Sequence, residues 1–346
     1  MRAAGGPRHA VVEAKLPVVQ VEIRPGRTIA VHHQRPSSQA APKPRLFFVH
    51  GSCGSMLQYE ALITHFAAAG HEIVAFDYVG CGRSPKPRDW YAYAFHELHA
   101  DAAAVVATYG RSSSSEANKN VLIGHSAGCL LCLGLVAAES ASGTQSPVAA
   151  VHGLVHGLVL MAPAYVPSYR PLPLFYLPAR VLSWIQPKLD AGFEALALHE
   201  SSTNLGLATE ARKATLALAR EVNASNPAYM FKAYYRQLTM PTPAEVRRAG
   251  LAVPSIAIIL GEGDKLVPRA GAEALKALLP PGAPPHTLAT PGSAGQGRLL
   301  SPTQPLLRLL RAGVAIHEVR EASHQMMQEV PEACIALIEG FLVGGA

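Results

Sequence analysis

Gly124-His125-Ser126-Ala127-Gly128 sets a serine two residues from a glycine on either side. An apolar run (NVLI, 120–123) leads in and a small-residue helical pattern leads out. Strand, sharp turn and helix are the setting in which a serine stands exposed on a strained elbow, and the glycines let the helix pass close by. A serine hydroxyl is a poor nucleophile at its ordinary pKa. It attacks only when a base takes its proton and an acid orients the base. In this arrangement both follow later in the chain, acid before histidine.

Both positions are filled. The apolar run Ser255–Leu260 leads into Gly261-Glu262-Gly263-Asp264, and Asp264, one step past the second glycine, is better placed than Glu262 to reach back to the base. The run 314–320 ends in Glu321-Ala322-Ser323-His324. Of the 15 histidines only His324 has the position of the base, while His50 and His125 read as structural residues at strand ends. The oxyanion formed on attack needs two backbone N–H donors, one from Ala127 and one from the loop His50-Gly51-Ser52-Cys53-Gly54-Ser55. Ser52 is the first choice for the second donor and Cys53 the alternative. Asp77-x-x-Gly80-x-Gly82-x-Ser84 reads as a turn, lacking the lysine of a phosphate loop and the third glycine of a dinucleotide fingerprint. Cys129-x-x-Cys132 falls on an expected helix with no second pair at zinc spacing. Neither a cofactor nor a metal is expected.

The elements that would position these groups alternate. A hairpin is expected over 18–33, strands over 45–50, 72–77, 120–124, 155–162, 255–261 and 314–320, and helices over 59–69, 93–109, 127–138 and 332–341. Apolar strands alternating with helices imply an α/β chain with a mostly parallel sheet and helices on both faces. The division expected is a flexible 1–16, a first core part 17–162, an inserted helical cap 163–253, and a second core part 254–346. Within the last, 280–311 is rich in Pro, Gly, Ser and Thr and reads as a disordered insertion.

Composition sets the outer limits. The chain has 346 residues, 49% of them hydrophobic and 16% charged, which suits a folded core and not a disordered chain. Its net charge of +6 comes with no dense Lys/Arg block, so no nucleic-acid partner is expected. No apolar run reaches 18 residues, so no transmembrane helix is expected, though peripheral membrane contact stays open. Five cysteines, an odd number, fit a reducing compartment such as the cytoplasm, and the basic first residues leave an organellar address as the alternative.

The HG loop, the DxxGxGxS turn, GHSAG, GEGDKLVP and EASHQ resemble, in position and order, the motifs of the α/β-hydrolase fold superfamily, from about residue 18 to the end. More narrowly, Leu189–Phe193, Asn223–Arg236 and His324–Glu332 resemble the α/β-hydrolase-domain-containing protein 8 group. The resemblance implies a serine hydrolase with a helical cap and, for the subgroup, a lipid-like substrate. Serine at 126 sets the chain apart from dehalogenases and epoxide hydrolases of this fold, which attack with an aspartate. An acyltransferase branch carries H-x4-D, whereas the fifth residue past His324 is Glu329; His96 and Asp101 have that spacing by chance on an expected helix. The expected activity is cleavage of a small-molecule or lipid ester through an acyl-enzyme on Ser126. The cap aromatics Tyr165, Phe175 and Trp184, with Cys53, would line the acyl pocket. Acyl transfer by the same triad, or a non-catalytic binding protein of the same fold, are the alternatives.

Overall fold

The computed structural model describes residues 16–36, 43–111, 119–137, 149–151, 153–200, 210–279, 307–309 and 314–344. The flexible N-terminus expected over 1–16 lies outside them except for Leu16, and so do residues 280–306. In chain order the principal elements are strands β1 (Val19–Arg24), β2 (Arg27–Gln34) and β3 (Arg45–Val49), helix α1 (Glu60–Ala68), β4 (Ile73–Asp77), α2 (Phe95–Gly110), β5 (Asn120–His125), α3 (Ala127–Ala137) and β6 (Val155–Met161). Four helices follow, α4 (Ala179–Ala197), α5 (Glu210–Ala224), α6 (Ala228–Gln237) and α7 (Pro243–Ala252). The chain continues with β7 (Ser255–Gly261), α8 (Arg269–Leu278), β8 (Leu307–Leu309), β9 (Ala315–Val319), the short α9 (Met326–Glu329) and α10 (Pro331–Gly344).

The strands form one sheet in the order β1-β2-β4-β3-β5-β6-β7-β9-β8. The six inner strands from β4 to β9 run parallel, and antiparallel pairs close both edges. Alternation along β3 shows why both faces are covered. Phe47 and Val49 pack with Leu130 and Leu133 of α3, whereas Leu46 and Phe48 pack with Leu62, Ile63 and Ile338 on the other side. A strand buried on both faces must be apolar through its middle, as LFFV and IVAF are, with Arg45 and Asp77 confined to the strand ends, where Glu72 and backbone N–H groups satisfy them. The parallel strands therefore all present their carboxyl ends along one edge, where the connecting loops carry Ser126, Asp264 and His324.

Two expectations are corrected here. The insert is expected to run to 253, but its last helix, α7, packs along α3, with Val246 and Ala249 buried, and Arg248 donates to the Ala137 carbonyl at the end of α3. Thr242 and Glu245 cap α7 reciprocally, so the helix starts cleanly as a sheet-flanking element. And 280–311 is not irregular throughout: β8 at 307–309 pairs antiparallel with β9. LLRLLR has a helical period, and the open edge of β9 overrides it.

Candidate catalytic site

Ser126 follows directly on β5 with φ of 53°, in the left-handed region that a residue with a side chain adopts only under constraint. Backbone hydrogen bonds impose it: Ser126 N–H donates to the Met161 carbonyl at 2.9 Å, and Ser126 C=O accepts from Cys129 at 3.1 Å and Ala164 at 3.3 Å. Close approach explains the glycines. A β-carbon at 128 would stand 2.3 Å from the Val49 carbonyl oxygen, and one at 51 would stand 2.9 Å from Ser126 Cβ. The side chain of Ser126 is thus held at the start of α3, where the positive end of the helix dipole favours developing negative charge.

The acid turn and the histidine loop are joined by backbone. Glu262 N–H donates to the Val319 carbonyl at 2.9 Å, Gly263 N–H to Ala322 at 2.9 Å, and the Ser323 hydroxyl to Gly263 at 3.0 Å. A β-carbon at 261 would lie 2.2 Å from the Ser323 carbonyl oxygen, so the two loops meet this closely only because residue 261 is glycine. The result brings Asp264, not Glu262, to the histidine: His324 Nδ1–H donates to Asp264 Oδ2 at 2.8 Å, with side chains 2% and 4% exposed. Asp264 Oδ1 accepts from the backbone N–H of Leu266 and Val267, both at 2.9 Å. A neutral imidazole with its proton on Nδ1 leaves Nε2 able to accept one. His125 fixes the loop from below, donating Nε2–H to the His324 carbonyl at 2.8 Å. Burial, with His324 alongside, holds the His125 pKa well below its ordinary value, which keeps that ring neutral.

Sequence reasoning passed over the group that anchors this loop. Glu329, noted only as a departure from H-x4-D, is a buried carboxylate spanning two backbone donors, Ser323 N–H at 2.7 Å and His199 N–H at 2.6 Å. Gln325 N–H donates to the Ala197 carbonyl at 3.2 Å, and Gln58 Nε2 donates to Gln325 Oε1 at 3.0 Å. The end of α4 is thereby fastened to the residues flanking His324. Nothing in the sequence marks Glu329 for this part, since a lone glutamate five residues past a histidine reads as a solvated side chain.

Ser126 and His324 line one small cavity of about 30 Å³, walled by Ser52, Gln58, Phe193 of α4 and Tyr235 of α6. That volume holds a water or two and no acyl chain. The anticipated pocket residues stand elsewhere. Trp184 is 83% exposed, Tyr165 is fully buried in the core, and Phe175 stacks on Tyr235 from behind with centroids 4.7 Å apart. Cys53 has φ of 52° in the loop after β3, and its carbonyl accepts from Asn226 Nδ2 at 2.6 Å. Its thiol is pushed up to about 12, first by desolvation and then by nearby Asp190, so it is no thiolate nucleophile.

The remaining motifs have structural work. Asp77 caps its turn, accepting from Met56 N–H at 2.7 Å and Arg83 N–H at 2.8 Å. Asp101 is buried between Arg24 and Arg27, which accounts for it without chemistry. Cys129 and Cys132 are free, buried residues of α3. Among the described residues no group of three His, Cys, Asp or Glu side chains is placed to hold a metal ion. No helix among them is long and apolar enough to cross a membrane.

A mostly parallel sheet with this strand order, helices on both faces and a serine elbow after β5 is the α/β-hydrolase fold. Solved structures superpose accordingly. An esterase from Rhodococcus sp. ECU1013 aligns with a TM-score of 0.63 at 18% identity over 95% of this chain and 99% of its own. An enol-lactonase from Burkholderia xenovorans LB400 aligns with a TM-score of 0.62 at 14% identity over 94% and 100%. The chain belongs to the hydrolase family described as serine aminopeptidase, S33, whose model matches residues 40–282, including Ser126 and Asp264. It is also similar to Protein ABHD8 of mouse, 28% identical over 92% of this chain, and of human, 27% identical over 92%. It spans about 60% of the length of those relatives.

Proposed function

We propose that this chain is a serine hydrolase that cleaves carboxylic esters through an acyl-enzyme on Ser126. The observation that carries the reading is the buried His324–Asp264 hydrogen bond of 2.8 Å, with Ser126 on its strained elbow facing the same cavity. His324 Nε2 takes the Ser126 proton as Oγ attacks the ester carbonyl. The N–H groups of Ala127 and Ser52 receive the oxyanion, each such donor contributing roughly 3 kcal/mol. The tetrahedral intermediate collapses, and the departing alcohol takes its proton from His324. Water then attacks the acyl-enzyme with His324 again as base, releasing the acid and restoring Ser126. Asp264 keeps the imidazole in the tautomer this requires.

An ester is favoured over a peptide with a free amino end because an α-ammonium calls for a carboxylate in the pocket. Among the described residues no carboxylate lines this cavity; Asp264 lies behind His324, hydrogen-bonded to its Nδ1. The segment 163–242 acts as the cap, and its Phe193 and Tyr235 must move for substrate to enter. An apolar, lipid-like acyl group suits the aromatic lining of that cover.

Labelling by a fluorophosphonate probe tests the reading. The wild-type chain should label, and Ser126→Ala and His324→Ala should not, with the same loss of p-nitrophenyl ester turnover. Labelling or turnover that survives in Ser126→Ala refutes the assignment.

A further inference from the structure

Helix α4 does not present to water the face that water selects. Its exposed positions recur at three- and four-residue steps from 180 to 196, the stripe that normally carries charged and polar side chains of both signs. Here Val181, Trp184 and Leu196 occupy it with small residues between, and its only charges are the cations Arg180 and Lys188. Both acids of the helix are turned away: Asp190 is partly buried, and Glu194 is held by Arg220 at 3.0–3.1 Å. The apolar surface continues into the preceding loop, with Leu172 55% and Tyr176 57% exposed. Seven of the eleven large apolar side chains exposed among the described residues fall within 166–196. From 166 to 189 the sequence has three cations and no acid. Scattered exposed apolar residues need no explanation, but a concentration on one helix and its approach does.

We infer that this face of α4, with the 172–177 approach, docks onto a bilayer surface bearing anionic headgroups. Charge and shape favour that occupant. Tryptophan and aliphatic side chains enter the headgroup–acyl boundary, while Arg180 and Lys188 lie along it with their cations at phosphate level. The opposite side of α4 carries Phe193 over the Ser126 cavity, so docking joins the lipid surface to the cover of the site. That last consequence, delivery of amphiphilic esters from the bilayer to Ser126, rests on the proposed hydrolase reading. The docking itself does not.

The experiment uses the full chain carrying Ser126→Ala, so that its outcome stands whether or not the chain is a hydrolase. Sedimentation with phosphatidylcholine vesicles is compared with phosphatidylcholine–phosphatidylserine vesicles, alongside tryptophan emission, which reports only Trp90 and Trp184. The expected result is binding to the anionic vesicles with a blue shift in emission. The shift should be absent in Trp184→Phe, which still binds. Arg180→Gln and Lys188→Gln should each weaken binding about fivefold, and added salt should do the same. Trp184→Glu should abolish binding with an unchanged far-ultraviolet circular dichroism spectrum. Folded protein that stays in the supernatant with both vesicle types overturns the inference. So does binding that Trp184→Glu leaves intact. A dimer in sedimentation velocity that Trp184→Glu dissolves, without vesicle binding, would assign the face to a second copy instead.

Discussion

Glu329 offers the sharpest test of how the histidine loop is held. Its two oxygens accept from two backbone N–H groups, one beside His324 and one at the end of α4, at 2.7 and 2.6 Å. Each is a charge-assisted hydrogen bond in a buried setting, contributing about 1.5–3 kcal/mol. Glu329→Ala removes both acceptors and should cost about 3–5 kcal/mol, since two buried donors are left without partners. Glu329→Gln keeps one oxygen but turns an amide N–H₂ onto the other donor, and should cost about half as much. Because Ser323 N–H immediately precedes His324, the fluorophosphonate labelling rate should fall in the same order, wild type above Gln above Ala. Urea denaturation gives the stability, and labelling under conditions where each variant is more than nine-tenths folded gives the loop's effect on the site. Equal midpoints and labelling rates in Glu329→Ala and wild type would refute the account. A stability loss with unchanged labelling of the folded fraction would show that Glu329 holds the fold without positioning His324.

Three further expectations follow from the same geometry. Asp264→Asn should leave the fold intact but turn an amide donor toward His324 Nδ1, forcing the proton onto Nε2; ester turnover should drop on the order of 10⁴-fold, checked by kinetics with p-nitrophenyl esters. Gly128→Ala, which in an ordinary helix would be stabilising, should destabilise by about 1–3 kcal/mol, because the new methyl meets the Val49 and His50 carbonyls at 2.3 and 2.6 Å; thermal melts decide it. His99, desolvated between α2 and α3, has its pKa lowered to about 4 from an ordinary value of 6.5. The unfolded chain therefore binds a proton that the folded one refuses. The resulting stability is complete above about pH 6.5 and drains as the pH falls toward 4, by on the order of 2–3 kcal/mol. Denaturant midpoints of His99→Gln should fall less steeply over that range than those of wild type, with buried His50 and His125 supplying the slope that remains.

The sequence alone carried the alternation of apolar strands and helices, the elbow around Ser126, and the places after β7 and β9 where an acid and a histidine belong. These are local signals: a period of two or 3.6, a glycine where backbones must nearly touch, a polar residue at a strand end. β7 begins and ends where its apolar run does, and Asp264 Oδ2 lies 2.8 Å from His324 Nδ1. What depends on residues far apart in the chain was decided by tertiary packing. LLRLLR contributes a strand because β9 has an unpaired edge. Helix α7 joins the core because Val246 and Ala249 find α3. The aromatic residues of the insert were legible as apolar, but only the packing of α4 and α6 against each other and around the Ser126 cavity sends Phe193 and Tyr235 to that cavity and Trp184 to the surface. Glu329 is the clearest case. A lone glutamate in sequence reads as solvated, and it becomes an anchor only when folding buries it against two backbone N–H groups, from Ser323 and from His199.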